Sequence, residues 1–187
     1  MKRSTIVVLC VVAAVAVAGG IWLVVGGKPV TTEPGSPVAM NSPLPSIVGK
    51  TLDGSTLDSA GFRGRPTVIN AWATWCGPCE TEQPALVRLA RRYGSRVRFV
   101  GINFNDDDLA AARRWVGPQY HVPYPSYYDP SGRTAHLLKY RLGIPDTYVV
   151  DASGTIRWAF FGIFNEQKLA GAIDEVLAAQ ASASPSP

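Results

Sequence analysis

Two of the three cysteines in this 187-residue chain, Cys76 and Cys79, flank Gly77-Pro78 in the run Ala71-Trp72-Ala73-Thr74-Trp75-Cys76-Gly77-Pro78-Cys79. Thiols at that spacing can close and reopen a disulfide. One thiolate attacks a partner's disulfide, and the second then displaces the partner from the mixed disulfide. The attacking sulfur needs a low pKa. A helix N-terminus supplies it, because the first N–H groups lack intrahelical partners and the dipole is positive there. Other uses of paired cysteines fit less well. A tetrahedral zinc site needs four ligands, no second cysteine pair follows, and His121 and His136 are remote in sequence. Haem attachment requires a histidine after the second cysteine, where Glu80 stands. A structural bridge closing so short a ring constrains the unfolded chain little. No metal and no separate cofactor is expected; the Cys76–Cys79 pair is itself the redox group.

The flanking residues must hold this pair at a strand-to-helix turn. Residues 66–70 are short, apolar and β-branched, the pattern of a buried strand. Residues 80–93 place Leu86, Leu89, Ala90 and Tyr93 at helical spacing. Cys76 then falls in the cap region as the exposed nucleophile. Pro78 suits the first turn, where its missing N–H would be unpaired anyway. Cys79 sits one turn on, on the same face, as the resolving thiol. Pro84 removes one hydrogen bond inside the helix, and Gly94 ends it.

The segment from Val68 through Trp75-Cys76-Gly77-Pro78-Cys79 to Pro84 resembles the thioredoxin superfamily. Asn70-Ala71-Trp72-Ala73-Thr74-Trp75 is more similar to the membrane-anchored TlpA/ResA/DsbE branch than to cytosolic thioredoxin. The likeness spans about residues 46–178. It implies an α/β, thioredoxin-like fold with an N-terminal β-hairpin and a central inserted helix and loop. It also implies that Gly143-Ile144-Pro145 forms a cis-proline loop packed against the cysteines, leaving the Ile144 backbone open for extended pairing with a client. Trp75, Gly77, Pro78, Ile144 and Pro145 are then the substrate-binding set. Cytosolic thioredoxins carry a buried Asp six residues before the first cysteine; here Asn70 stands there and cannot titrate. Glu82 lies one helical turn past Cys79, where this branch has a glutamate implicated in tuning the cysteines. The catalytic set is therefore Cys76, Cys79 and Glu82. Asp146 matches the acidic residue that follows the proline in cytochrome c maturation members. Glu80 is expected to be solvated.

The rest of the chain divides into four stretches. Lys2 and Arg3 precede an uncharged run, of which residues 5–25 would span about 31 Å as a helix, enough for a bilayer. Residues 1–27 therefore read as a membrane anchor, with the N-terminus cytoplasmic and the remainder outside. A cleaved signal with Ala16-Val17-Ala18 as its small-residue site, giving a secreted protein, is the competing reading. Cys10 in this run is taken as an inert thiol. Residues 28–46 carry Pro29, Pro34, Pro37, Pro43 and Pro45 and read as a semi-rigid tether. Residues 47–178 form one domain, in the order hairpin, β, α, β, α, α, β, β, α, with a hairpin turn at Asp53-Gly54. Asp106-Asp107-Asp108 open a helix by charge at its first turn, residues 117–130 form an aromatic, proline-rich loop, and residues 133–140 a short helix. Residues 179–187 are expected to be a disordered tail.

Net charge is +4, of which Lys2 and Arg3 supply two, so composition argues for no nucleic-acid partner. Arg88, Arg91, Arg92, Arg96 and Arg98 cluster near a helix C-terminus, where positive charge is favourable by itself. The expected activity is extracytoplasmic thiol–disulfide exchange, in the reducing direction that Gly77-Pro78 and Ile144 imply by resemblance. Client proteins with cysteines, including apocytochrome c, are the expected substrates. A membrane thiol–disulfide transporter is the expected electron donor. The alternatives are an oxidant that forms disulfides in secreted proteins, or a copper-binding chaperone using the pair as a soft-metal site.

Overall fold

The computed structural model describes residues 40–138 and 143–183. The anchor and signal readings, Cys10 and most of the tether lie outside them. Among the described residues no helix is long and apolar enough to cross a membrane.

A six-stranded sheet in the order β1-β8-β7-β4-β5-β6 forms the frame. β4 (Thr67–Trp72) and β5 (Arg98–Phe104) are its centre and run parallel, with β6 (Ser126–Asp129) parallel beyond them. β7 (Asp146–Val150) and β8 (Thr155–Phe161) add antiparallel on the other side. Every residue of β4 and β7 is buried, because both sheet faces are covered. The two-residue side-chain period divides each strand between two cores. Val68, Phe99 and Val149 pack on one face beneath α1 (Gly77–Tyr93) and α4 (Glu166–Ala183), against Leu86, Leu89, Leu169 and Ile173. Ile69, Val100 and Val150 face the other way, toward Ile47, Phe62 and Tyr127.

The expected hairpin is present as β2 (Val48–Lys50) and β3 (Thr56–Asp58), paired antiparallel. α1 runs unbroken through Pro84 and ends at Gly94, whose φ of 53° is a left-handed value that glycine adopts without steric cost. Gly101 in β5 leaves room for the Ser126 and Trp72 side chains; a Cβ there would run into Ser126 Oγ and would meet Trp72 Nε1 at 2.8 Å.

Four expectations are corrected. The tether does not run free to residue 46: Ser42–Pro43 form β1 and pair with Ile156 and Thr155 at the sheet edge, where proline's missing donor is tolerated. The aromatic loop contains strand β6, and before it a π-helical turn, Trp115–Gln119, in which Tyr120 N–H donates to Trp115 O. Asp106 and Asp107 do not open a helix; α2 (Leu109–Arg114) is capped by Asp108, whose Oδ1 accepts from Ala111 N–H. The last helix extends through Ala183, into the stretch expected to be tail. α3 (Arg133–Leu137) is the short helix, and the end expected for it at residue 140 lies outside the described residues.

Candidate active site

β4 ends at Trp72 and α1 begins at Gly77, so four residues carry the chain from sheet to helix. Two bonds from the segment after β5 pin this turn. Asp106 Oδ2 accepts from Thr74 N–H at 2.8 Å and from Asn103 Nδ2 at 2.9 Å. Trp75 Nε1 donates to Asn105 O at 3.0 Å. Asp106 is buried, and its work here is to hold the turn; the sequence reading assigned it to helix capping. Its run of three acids hid that one of them faces inward.

Cys76 is the N-cap of α1, and its Sγ accepts from Cys79 N–H at 3.2 Å. That N–H is one of the orphan donors at the helix start, and it would stabilise a thiolate on Cys76 after reduction. Here the two sulfurs are joined in a disulfide with Cα atoms 5.3 Å apart. Cys76 was expected to be exposed, but in this oxidised state it is only 4% exposed and Cys79 1%. Its Sγ is bonded to Cys79, and the Ile144 carbonyl oxygen stands 3.7 Å from it. A disulfide sulfur has no proton to donate, so this is a contact. The exposed surface of the motif is Gly77, Pro78 and Trp75, the last at 57%.

The Ile144–Pro145 peptide is cis, and Pro145 O accepts from Gly162 N–H at 2.8 Å, which ties this loop to the end of β8. Ile144 packs on the cluster that holds Cys76 and Cys79, so the structure joins the two halves of the expected site. Leu52, Trp72 and Trp115 complete that cluster; the Trp72 and Trp115 rings stack at 5.2 Å. Trp115 was not singled out from sequence, since its place depends on the π-helical turn.

Glu82 lies one turn past Cys79 on the buried side of α1. Asn70 Nδ2 donates to its Oε1 at 2.7 Å and to Thr147 Oγ1 at 3.0 Å. Asn70 therefore orients the carboxyl, although it cannot itself titrate. Glu82 Oε2 is buried without a hydrogen bond of good geometry. Burial pushes the Glu82 pKa up to about 8, against the Asn70 bond and the Phe164 backbone amide; the charge of Asp146 adds to the rise. Asp146, next to the cis proline, is also buried, and burial lifts its pKa to about 7. The Gly162 amide and the Tyr148 hydroxyl offset part of that shift, though neither Asp146 oxygen has a partner at hydrogen-bond geometry. Two carboxyls thus sit in the wall of the site, both able to exchange protons near neutral pH. Glu80 is exposed as expected, and its Oε1 accepts from the Tyr120 hydroxyl at 2.9 Å.

A dithiol pair at a helix cap, facing a cis-proline loop on a thioredoxin-like sheet, defines a thiol–disulfide oxidoreductase. Residues 39–176 match the family model described as Redoxin, and the chain belongs to that family. It is 37% identical over 129 residues to the thiol:disulfide interchange protein DsbE of Pseudomonas fluorescens biotype C, covering 68% of this chain and 69% of the relative. It is 34% identical over 137 residues to the DsbE of Pseudomonas aeruginosa, covering 67% of this chain and 73% of the relative. Among solved structures, a DsbF homologue from Corynebacterium diphtheriae superimposes with a TM-score of 0.69 at 30% identity, covering 81% of this chain and 95% of that one.

Proposed function

We propose that this protein is a membrane-tethered, extracytoplasmic reductant of client disulfides, apocytochrome c among them, recharged by a membrane thiol–disulfide transporter. One observation carries the direction of electron flow. Among the described residues no basic side chain hydrogen-bonds to Cys76, Cys79, Glu82 or Asp146, and the groups buried around the pair, Glu82, Asp146 and Asp106, are all carboxyls. A strongly oxidising dithiol needs a heavily stabilised thiolate in its reduced form. This site offers the helix start alone and sets potential negative charge beside it, which favours the disulfide and hence donation of electrons.

The reaction follows from these places. The Cys76 thiolate attacks one sulfur of a client disulfide, and the other client sulfur leaves as a thiolate and takes up a proton. Ile144 holds the client by backbone pairing, beside the apolar platform of Trp75 and Pro78. Cys79 then gives up its proton, with Glu82 as the acceptor, and attacks the Cys76 sulfur. The second client thiolate leaves, and the protein is left with the Cys76–Cys79 bond seen here.

The redox potential tests this reading. A value near the roughly −270 mV of thioredoxin supports reduction; a value near the roughly −120 mV of DsbA makes the protein an oxidant. Stoichiometric copper binding without disulfide reduction would replace both with a metal chaperone.

A further inference from the structure

The end of the sheet away from the disulfide carries opposite charge. Arg63, Arg65, Arg96 and Arg98 surround the connector that leads into β4. Arg63 Nη1 donates to Ser153 O at 3.1 Å, and Arg65 Nη1 to Ser95 O at 3.2 Å. The Arg98 guanidinium lies 4.9 Å from the Phe62 ring centroid, and that of Arg96 5.5 Å from Tyr93's. None of the four is in an ion pair; among the described residues only Arg88–Glu166 and Arg157–Asp151 are. Asp151, the carboxylate of the turn that Arg63 contacts, is taken by Arg157 at 2.6 Å. Asp174 accepts from the Tyr93 hydroxyl instead. Arg65 Nε and Arg98 Nη1 are buried with no hydrogen-bond acceptor among the described residues. Beyond the cost of its burial, Arg98 meets the like charge of Arg65 with no carboxylate to offset it.

A solvated helix cap explains Arg88, which pairs with Glu166. It does not explain Arg63 and Arg65, which precede β4, nor the unfilled donors. The exposed guanidinium groups of Arg63 and Arg96, held by a carbonyl and a ring and paired with no carboxylate among the described residues, match the oxygens of phosphate groups. The end of the tether also reaches this end of the sheet. Asn41 N–H and Leu44 N–H donate to Ile156 O and Gly154 O, and Arg157 Nη1 donates to Asn41 Oδ1. β1 is antiparallel to β8, so the chain runs along β8 from the disulfide side and brings Pro43 and Leu44 to the arginine end, which the six residues of β4 separate from the disulfide by about 20 Å.

We infer that this arginine end docks on a bilayer surface bearing anionic phosphate headgroups, turning the disulfide away from the lipid toward clients. The inference rests on the reading of residues 1–27 as an anchor. A tethered domain meets the surface at high effective concentration, so weak electrostatic docking suffices.

The test uses the full chain in two vesicle preparations, one of phosphatidylcholine alone and one with about 30% phosphatidylglycerol. Flotation with the neutral vesicles reports the anchor, and failure there overturns the anchor reading alone. Amide hydrogen exchange over residues 61–66 and 94–98 reports the docking. It should slow about threefold or more on the anionic vesicles and recover in about 0.5 M salt. The double substitution Arg63→Glu, Arg96→Glu should abolish the difference while disulfide exchange continues. Equal exchange in both vesicles overturns the proposal, as does protection that survives salt. Protection brought about by inorganic phosphate on neutral vesicles would mark a free-anion pocket and overturn it too.

Discussion

The two ends of the central sheet hold unpaired charge in opposite ways. At the disulfide end, Glu82 and Asp146 are buried with oxygens that lack partners. At the other end, arginines lack carboxylates, yet Arg63 and Arg96 keep to the exposed surface. The difference follows from acid–base chemistry. A carboxyl escapes the cost of burial by taking up a proton, and both pKa values rise accordingly. A guanidinium cannot give its proton up, so it stays near solvent or waits for an external anion. The buried end can therefore change its protonation near neutral pH, whereas the exposed end keeps its charge.

Substitutions at the sulfurs should break the buried end outright. Cys76→Ser should reduce disulfide exchange to background, because no nucleophile remains. Cys79→Ser should instead accumulate mixed disulfides with clients, visible as adducts on non-reducing gels. Absence of adducts at Cys76 in the second variant would contradict the order of attack. Glu82→Gln comes next. It removes a proton acceptor that titrates near neutrality, and exchange should slow by about a hundredfold with a flatter pH–rate profile. A profile unchanged by the substitution would assign the proton to another group.

The same two carboxyls make a stability prediction whose sign is fixed. Both native pKa values lie above the ordinary ones, so between about pH 4 and 8 the native state holds protons that the unfolded chain has lost. The contribution of these two groups to the stability of the oxidised protein should be greatest below the ordinary carboxyl range, fall as pH rises, and level off above about 8. The loss should be on the order of 3 kcal/mol. Urea unfolding at several pH values measures it. Subtracting the Glu82→Gln profile from that of the unsubstituted chain isolates the Glu82 part; a difference that does not fall between about pH 4 and 8 would show Glu82 to be ionised in the fold.

How much of this was legible beforehand differs between the ends. The cysteine pair, its helix and the Ile144-Pro145 loop are local patterns, written in residues a few positions apart. The partners of Glu82 are not. Asn70 is 12 residues from it and Thr147 77 residues from Asn70, and only the β4–β7 register brings them together. Asn70 read as a lost acid, and the fold makes it the donor that aims the acid present. Strand β6 was missed because Pro125 and Pro130 bracket it, and β1 because its two residues lie in a proline-rich run. Arg88 to Arg98 did read as a cluster, but Arg63 and Arg65 join it only through tertiary contacts.

Asp106 sharpens the comparison, being a buried carboxylate at the disulfide end with its bonds made. Asp106→Ala would leave the Thr74 N–H without its acceptor and cost about 1–3 kcal/mol, read as a lower thermal midpoint. Asp106→Asn keeps an acceptor oxygen and should recover most of that loss. If the two variants are equally unstable, charge and not geometry holds the turn.

The smallest effect belongs to the arginine end. Arg96 is exposed, its guanidinium lies over the Tyr93 ring, and among the described residues no carboxylate is in an ion pair with it. Arg96→Ala should therefore change stability in solution by no more than about 0.5 kcal/mol and leave disulfide exchange intact. Arg98→Ala differs, because Arg98 is half-buried and its stem and guanidinium cover Phe62. Truncation there removes packing as well as charge, yet it also relieves the repulsion with Arg65. If those arginines are tolerated strain kept for an outside anion, then Arg65→Ala should stabilise the chain in low salt, and more so than in high salt, where the repulsion is already screened. A loss of stability in low salt would mean that Arg65 is held by its bond to Ser95 more than it is opposed by Arg98.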